Sequence, residues 1–540
     1  PGGRIQAGAG TGRRVTLFNC FVMGVIDDSM DGIFDALKEG ALTMQQGGGV
    51  GYDFSTLRPR GTAARSVGAT ASGPVSFMTI WDAMCATLLS VGSRRGAMMA
   101  TLRCDHPDIE DFIGAKHESA RLRHFNLSVL VSDAFMDAVR ADRDWALVFP
   151  TAARDVTAGE VVEREWSGSD RPVPCRVYRR VRARALWERL MRATYEYAEP
   201  GVLFIDRIND ENNLNYRERI SATNPCGELP LPPYGACDLG SINLTQFVRA
   251  PFTAEAALDF DAITAITAVA VRMMDNAIDL SQFPLPRQAE QARGSRRIGL
   301  GLTGLADALI MLDLHYGSEA ARALAARIMQ TITHAAYRTS IALAREKGVF
   351  PFLDRERHAA AAFVRRLPQD IGEGIARNGI RNSHLTAIAP TGTISLLANN
   401  VSSGLEPVYG FALTRRVLER DGSYASHELI DYAMALWRRA RGTARPPDTF
   451  VSAHQLAPAA HLAMQAALQP HVDNSISKTI NVPRDYAFED FKDIYRQAYE
   501  LGLKGCTTFR PNPVTGEVLT ATTAEGESAP HCCNVEREAD

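Results

Sequence analysis

The sequence predicts an α/β fold, and three observations support that prediction. Short apolar runs typical of buried strands alternate along the chain with longer amphipathic helical patterns. Such alternation is typical of parallel strands joined by helices. Hydrophobic residues make up 46% and charged residues 22% of the 540 residues, so the chain can bury a sizeable core. The length fits either several domains or one large barrel with insertions.

The strand and helix patterns follow one another in chain order. The predicted strands are Val15–Val22, Leu127–Val131, Val202–Ile205 and Leu385–Ala389. The predicted helices are Asp31–Gln46, Ala185–Glu199, Phe260–Leu280, Ser318–Lys347 and Phe488–Leu501. After Pro513 small and polar residues dominate. The sequence therefore predicts one folded unit over residues 1–513 and a mobile tail over residues 514–540.

Charge and hydropathy exclude two classes of partner. The formal net charge of −3 gives no basic footprint for a nucleic-acid polymer. No apolar run reaches the length of a membrane span, and no signal segment opens the chain, so we expect a cytoplasmic protein. The chain begins at Pro1 without an initiator methionine, and we expect its natural start, with any activity-regulating domain, to lie upstream.

The cysteines are odd in number and scattered. They are Cys20, Cys85, Cys104, Cys175, Cys226, Cys237, Cys506, Cys532 and Cys533. Neither a disulfide scaffold nor a structural zinc site suits this spacing, and we predict no metal site. Most such cysteines are small core residues, an interpretation that applies first to Cys85, Cys104, Cys175 and Cys506.

The segment from Asn224 to Glu228 places an amide, a thiol and a carboxylate at every second position, around Cys226. In an extended backbone these side chains would face one ligand together. Its proline and glycine favour a loop over a central strand. A surface turn around a buried cysteine is the alternative. Cys20 and Cys237 lie elsewhere in the chain, and one thiol for attack with two for electrons would suit a reduction.

An apolar strand runs into a hydroxyl-rich turn at residues 385–395. The turn consists of Pro390, Thr391, Gly392, Thr393, Ile394 and Ser395. Amide groups at a helix start, together with hydroxyls, bind phosphate oxygens well. No lysine follows the glycine, which excludes a Walker A loop. An ordinary Ser/Thr helix cap is the alternative.

Two glycine clusters remain ambiguous. Gly299, Gly301 and Gly304 spell a dinucleotide-binding fingerprint, but the polar residues before them supply no buried strand, so close helix packing is the alternative. The segment 46–54, which includes Gly49, suggests backbone lying against a ligand, with a flexible hairpin as the alternative. Arginines that could bind phosphate follow it, namely Arg58, Arg60, Arg65, Arg94 and Arg95.

Together these segments resemble, in their order, the large chain of ribonucleotide reductases over about residues 1–513. Asn-Pro-Cys-Gly-Glu at 224–228 resembles the family's finger-loop motif, and Pro-Thr-Gly-Thr-Ile-Ser at 390–395 resembles its phosphate turn. The two motifs together are highly specific, whereas either alone is only suggestive. The resemblance implies a ten-stranded α/β barrel with the finger loop at its centre.

The resemblance also implies roles for individual side chains. Cys226 would become a thiyl radical and remove the 3′ hydrogen of the ribose, and Glu228 would take the 3′-hydroxyl proton. Asn224 would hold a substrate hydroxyl. Cys20 and Cys237 would supply two electrons as the 2′-hydroxyl leaves as water. A radical step of this kind needs a shielded thiol beside an acid/base carboxylate.

One departure from the family pattern indicates how the radical arises. Members that receive a radical from a metal-containing partner carry two adjacent tyrosines where this chain has Thr507 and Thr508. An aliphatic hydroxyl cannot relay a radical as a phenol can. No glycyl-radical segment closes the chain either. The resemblance therefore implies the adenosylcobalamin-dependent class, acting on ribonucleotides, with diphosphates as the expected substrates.

Regulation and re-reduction are also implied by the resemblance. Asp28, Arg58 and Arg65 resemble residues that bind a deoxynucleotide or ATP effector at a homodimer interface. Residues 92–100 and 120–126 resemble the loops that carry the effector signal. Cys532 and Cys533 in the tail would exchange electrons with thioredoxin or a similar dithiol, although the family's pair is normally spaced. An NAD-dependent oxidoreductase and a non-catalytic nucleotide-binding relative are the rival hypotheses.

Overall fold

A nine-stranded sheet dominates the chain. A computed structural model describes residues 1–64, 69–88, 96–117, 121–151, 159–418, 424–511, 519–522 and 528–529. In chain order the strands of the sheet are β1 (Cys20–Val22), β2 (Gly49–Asp53), β3 (Met98–Arg103), β4 (Phe125–Val131), β5 (Gly201–Phe204), β6 (Ala236–Asn243), β7 (Ile298–Thr303), β8 (Thr479–Asn481) and β9 (Gly505–Phe509). Their spatial order is β7-β6-β1-β2-β3-β4-β5-β9-β8.

Strands β1 to β5 of the sheet run in one direction, and strands β6 to β9 run in the opposite direction. Strands β1 to β5 are parallel to one another. β6 and β7 are parallel, as are β8 and β9. The two sets meet at antiparallel pairs, β1 with β6 and β5 with β9. The α/β prediction is therefore confirmed, and the predicted strands at Leu127–Val131 and Val202–Ile205 are β4 and β5.

Helices cover the sheet and join its strands. The helices of seven or more residues are Met30–Gln45, Pro74–Thr87, Asp133–Arg140, Ala183–Tyr197, Phe260–Leu280, Pro286–Ser295, Leu305–Met311, Glu319–Lys347, Gln369–Asn378, Tyr432–Arg441, Pro458–Leu468 and Phe488–Glu500. The shorter ones are Gly3–Gly8, Ile109–Ile113, Ile205–Asp210, Arg355–Ala359, Ala362–Arg365 and Gly392–Leu397. All five predicted helices are confirmed. Side-chain caps at Ser29, Asp259 and Ser318 start three of them by accepting a backbone N–H.

The smaller sheets lie outside this framework. One contains Asp144–Pro150, Val161–Arg164 and Val173–Arg182, and another contains Ala412–Leu418, Tyr424–Ile430, Leu519–Thr522 and Ser528–Ala529. The latter includes the described part of the predicted tail. Short two-stranded ladders join Ala63–Ala64 with Ala69–Thr70 and Val248–Arg249 with Ala257–Leu258. Among the described residues no helix is long and apolar enough to cross a membrane.

The first predicted strand, Val15–Val22, is too long. Only Cys20–Val22 forms a strand. The N–H of Leu17 donates to the Ser281 hydroxyl at 3.0 Å, and that of Phe18 donates to the Thr16 hydroxyl at 3.1 Å. Because these amides bond to side chains, they are not available to a strand ladder, and pairing begins at Cys20.

The predicted strand Leu385–Ala389 lies between the two edges of the sheet. On one side Leu300 N donates to Leu385 O at 2.9 Å, and on the other Ser477 N donates to Ile388 O at 2.8 Å. Only the single bridging pairs Leu300–Thr386 and Ile388–Ile476 result. The described residues therefore form a nine-stranded open sheet, and the expected ten-stranded barrel is not established.

The glycines of β7 do not form a dinucleotide-binding turn. Gly299 and Gly301 lie within the buried strand rather than after it. A Cβ at Gly301 would lie 2.2 Å from the carbonyl oxygen of Ala387. The interpretation as helix packing is wrong in its detail, because these glycines let two extended segments approach closely. The fingerprint geometry that an NAD site requires is not met.

Gly51 on β2 provides a test of this close approach. A Cβ at Gly51 would lie 1.8 Å from the carbonyl oxygen of Thr223. Neither backbone can retreat without breaking its ladder, so we expect Gly51→Ala to destabilise the protein by roughly 2–3 kcal/mol. The thermal unfolding midpoint of the purified chain measures this loss.

Gly372 supplies the matched control for that substitution. It lies in the helix Gln369–Asn378, and a Cβ there meets nothing within 4 Å. We expect Gly372→Ala to leave the midpoint unchanged or to raise it, since alanine is the better helix former. Equal midpoints for Gly51→Ala and the unmodified chain would show that the backbones are not in contact.

Candidate active site

The Asn224–Glu228 motif forms the tip of a hairpin that enters the sheet framework. Ala222–Thr223 and Pro230–Leu231 pair as its two arms. At the tip, Asn224 N donates to Leu229 O and Gly227 N donates to Asn224 O, both at 3.1 Å. Gly227 has a φ of +82°, which glycine adopts without strain. The prediction of a loop is confirmed, but the expected extended backbone is wrong, because the motif folds into a turn.

Three hydrogen bonds hold this finger loop, residues 224–228, in place. The Asn126 side-chain amide on β4 donates to Pro225 O at 2.8 Å. Ser475 N donates to Glu228 O at 2.9 Å. Asn224 Oδ1 accepts from Leu229 N at 2.9 Å. The loop is thereby attached to β4 at Pro225 and to the segment around Ser475 at Glu228.

The turn presents the three functional side chains differently. Cys226 is partly exposed, whereas Asn224 and Glu228 are fully buried. The Asn224 amide donates to Cys20 Sγ at 3.2 Å. The structure thus places the Asn224 side chain in contact with the Cys20 thiol.

Cys20 and Cys237 lie opposite each other on adjacent antiparallel strands. They are direct partners in the register of β1 and β6, and both are fully buried. Directly opposed cysteines on an antiparallel pair have Cβ atoms about 4.5–5.5 Å apart, so a small adjustment reaches disulfide geometry. Both thiols are free in this structure.

The surroundings keep both thiols protonated. Burial raises the pKa of the Cys20 thiol well above its usual range, and the neighbouring Glu228, Cys226 and Cys237 raise it further, while the Asn224 amide opposes the rise. Burial likewise raises the pKa of Cys237, with a contribution from the adjacent Asp238. These electrostatic contacts place the five predicted catalytic residues in one cluster.

The predicted phosphate turn leads into a short helix, Gly392–Leu397. Its hydroxyls are largely engaged within the protein. Thr391 Oγ1 lies 2.9 Å from Thr303 Oγ1 and 3.0 Å from Ser395 Oγ, and it accepts from Gly404 N at 2.8 Å. Thr391 and Ser395 are buried and fix the shape of the turn.

The remaining members of the turn form its accessible side. Thr393 is exposed, and Pro390, Gly392 and Ile394 are partly exposed. The first-turn amides of a helix have no partner within the helix, so they are the groups available to an anion.

The structure describes only some of the residues predicted to bind an effector, to carry its signal or to re-reduce the site. Arg58 Nε lies 2.7 Å from Asp28 Oδ2, so these two predicted effector residues form an ion pair. Gly49 starts β2 beside Cys20, as its register partner. Arg65 lies outside the described residues, as do parts of the two predicted signalling loops. Cys532 and Cys533 also lie outside them.

Small polar residues line the sheet beyond the finger loop. Ser128 lies two residues after Asn126 on β4 and therefore faces the same side. Its register partner on β5 is Gly201. A Cβ at Gly201 would lie 3.3 Å from both Ser128 Oγ and Thr507 Oγ1. These three small residues therefore pack closely against one another.

Sequence reasoning did not assign the anchoring roles of Asn126 and Ser475. Asn126 ends the segment 120–126, which was predicted to carry the effector signal, and Ser475 was not singled out. Asn126 lies 99 residues from Pro225 in sequence, and no local pattern encodes such a contact.

Comparison with known proteins agrees with this geometry. A family model described as the ribonucleotide reductase barrel domain matches residues 18–509. The chain is 40% identical over 524 residues to a vitamin B12-dependent ribonucleoside-diphosphate reductase of Mycobacterium tuberculosis, which covers 94% of this chain and 69% of that protein.

More distant relatives match over the same region. The protein of the same name from Thermoplasma acidophilum is 36% identical, with 94% of this chain and 63% of that protein covered. A vitamin B12-dependent ribonucleotide reductase of Streptomyces coelicolor is 28% identical, with 93% and 57% covered. With most of its length matched by the family model, the chain belongs to the ribonucleotide reductase barrel-domain family.

Proposed function

We propose that this chain reduces ribonucleotides to 2′-deoxyribonucleotides by thiyl-radical chemistry that depends on adenosylcobalamin. The observation that carries the proposal is the clustering of Cys226, Glu228 and Asn224 with the opposed pair Cys20 and Cys237. The names of the relatives support both the reaction and the cofactor. Ribonucleoside diphosphates are the expected substrates, as in the first two of those names.

The side chains of the cluster divide the reaction between them. The Cys226 thiyl removes a hydrogen atom from C3′, and Glu228 accepts the 3′-hydroxyl proton. The 2′-hydroxyl then leaves as water after it receives a proton. Cys20 and Cys237 together supply two electrons and two protons and become a disulfide. Cys226 returns its hydrogen atom to C3′, so the net change is ribonucleotide plus two thiols to deoxyribonucleotide, disulfide and water.

The protonation of the pair suits this chemistry. A neutral thiol can protonate a leaving hydroxyl, whereas a thiolate cannot. Because burial raises the pKa of Cys20 and Cys237 above the usual range, both carry their protons at neutral pH. The full burial of Cys20, Cys237, Asn224 and Glu228 also keeps bulk water away from these four side chains.

The lining near the finger loop fits the cofactor. Ser128, Gly201 and Thr507 are small residues on neighbouring strands, and Ser128 lies on the face of β4 that carries Asn126. When bound, adenosylcobalamin supplies the organic radical that converts the Cys226 thiol to a thiyl. The same three residues would hold its adenosyl group.

The phosphate turn and the sheet complete the proposed architecture. The amides of residues 392–394 would bind the substrate phosphates, with Thr391 and Ser395 as the internal braces of the turn. The hydrogen bonds on both sides of Leu385–Ala389 support a closed barrel with that segment as the tenth strand.

The exposed face of one helix supports a homodimer with an effector site. On Met30–Gln45, the side chains of Met30 and Phe34 are 57% and 47% exposed, and the partly buried Leu37 continues the same face. Asp28, which forms an ion pair with Arg58, lies just before this helix. A second copy covering the face would bring a nucleotide effector to the dimer interface. Thioredoxin or a similar dithiol would restore the reduced cysteine pair through Cys532 and Cys533.

The decisive assay measures deoxynucleotide formation from each ribonucleoside diphosphate. The chain is incubated with dithiothreitol and an effector nucleotide, with and without adenosylcobalamin. We expect product only when the cofactor is present, because Thr507 and Thr508 stand where members that receive a radical from a partner carry tyrosines.

Either other outcome would contradict the proposal. Product without the cofactor would assign the radical to another source. Tight nucleotide binding without product in any condition would favour the non-catalytic relative instead.

A further inference from the structure

A buried lysine lies beneath the finger loop and takes no part in the chemistry described above. Lys504, which immediately precedes β9, is only 4% exposed. Its ammonium donates to Asp473 O at 2.9 Å and also to Asn474 O. Burial lowers the pKa of Lys504 to about 8, while the carboxylates of Glu211 and Asp473 oppose the decrease. Since this value lies above 7, the charged form predominates at neutral pH and donates strong, charge-assisted bonds.

The residues bound by Lys504 also form hydrogen bonds with the segment Leu385–Ala389, which leads to the phosphate turn. The Asp473 carboxylate accepts from Leu385 N at 2.8 Å, from Thr386 N at 2.9 Å and from Tyr337 OH at 2.8 Å. Asn474 Nδ2 donates to Thr386 O at 2.9 Å. Asp473 and Asn474 thereby fix the start of the segment that runs to the phosphate turn.

The next residue connects the same cluster to the finger loop. Ser475 N donates to Glu228 O at 2.9 Å. Residues 473–475 therefore connect Lys504, the segment Leu385–Ala389 and the backbone of Glu228, the predicted proton acceptor. Removing the ammonium would leave two buried carbonyls without their donor, and the tripeptide would have to move to satisfy them.

We propose that Lys504 is a positioning residue that sets the placement of Glu228 relative to the bound ribose by holding residues 473–475. It touches neither substrate nor reacting atoms. The inference rests on the proposed reduction, because it gives Glu228 its role as proton acceptor. A shift of about 1 Å in a reacting group can lower a rate a hundredfold, so the effect of this clamp should fall on turnover rather than on nucleotide binding.

Two variants of the full-length chain test this role. Lys504→Met retains the length of the side chain but has no donor, and we expect kcat to fall by about tenfold to a hundredfold with KM unchanged. Lys504→Gln keeps two N–H donors on a shorter stem, and we expect it to restore part of kcat. Lys347→Met is the control, since the Lys347 ammonium lies 3.7 Å from Asp275, away from the finger loop.

Amide hydrogen exchange reports on the clamp without requiring activity. In Lys504→Met we expect faster exchange at Ser475, whose bond to Glu228 O loosens, and at Leu385 and Thr386, whose amides bond to Asp473, with no change in Lys347→Met. Unchanged exchange at Ser475 or a wild-type kcat would overturn the proposal. Faster exchange throughout the sheet, with a lower unfolding midpoint, would also overturn it in favour of a general structural role. If the unmodified chain reduces no ribonucleotide, the proposed function fails, and exchange at Ser475 still decides whether the clamp exists.

Discussion

Replacing Cys226 with serine is expected to abolish ribonucleotide reduction. An O–H bond is much stronger than an S–H bond, so a serine at this position cannot be converted to a radical that removes a ribose hydrogen. We expect kcat to fall on the order of 10⁴-fold or more, as when the reacting group of other enzymes is removed. The volume change is small, and the loop retains its bonds from Asn126 and Ser475. Deoxynucleotide formation with adenosylcobalamin and dithiothreitol measures the loss.

Cys175→Ser is the matched control for that substitution. Cys175 is fully buried on the strand Val173–Arg182 of the separate three-stranded sheet. We expect it to retain activity, because it contacts no residue of the cluster. Substantial activity in Cys226→Ser, with nucleotide binding intact, would remove the thiyl from the mechanism.

The second large effect is expected for Glu228→Gln. The carboxamide has the shape of the carboxylate and leaves the backbone bond from Ser475 in place, but it cannot accept the 3′-hydroxyl proton. Loss of a general base typically costs about 10²–10⁴-fold in rate. We expect that decrease in kcat with little change in KM, since binding depends on other groups.

The substitution has a second consequence and a control. After burial, Glu228 is the next contribution to the raised pKa of Cys20, so its neutralisation should lower that pKa. Glu160→Gln removes an exposed carboxylate that pairs with Arg180. It should change neither kcat nor the pKa of Cys20. If Glu228→Gln turned over at the rate of the unmodified chain, another group would have to accept the proton.

The sequence by itself predicted the α/β class and five helices, which the structure confirms, and it proposed the residues of the candidate cluster. Periodic apolar patterns such as Phe260–Leu280 depend only on neighbours within a few residues, which is why they were predicted within two residues. The two motifs around Cys226 and Thr391 combine residue types that few other functions require together.

Local patterns failed where the backbone interacts with distant segments. The finger loop was expected to be extended, but the Gly227 amide donates to Asn224 O, and the loop is held by Asn126 from β4 and by Ser475 from the segment before β8. Apolar residues alternate in Val15–Val22 as in a strand, yet the Leu17 amide donates a hydrogen bond to the Ser281 hydroxyl. The glycines of β7 matched a nucleotide fingerprint, although they serve close packing against Ala387.

Only the tertiary structure decided which side chains meet. Cys20 and Cys237 are separated by more than two hundred residues in sequence and become direct partners because β1 and β6 are antiparallel neighbours. Lys504, Asp473 and Glu228 are connected through the hydrogen bonds of residues 473–475. The sequence determines local conformation and chemical type, whereas strand register and burial determine distances, hydrogen-bond partners and pKa.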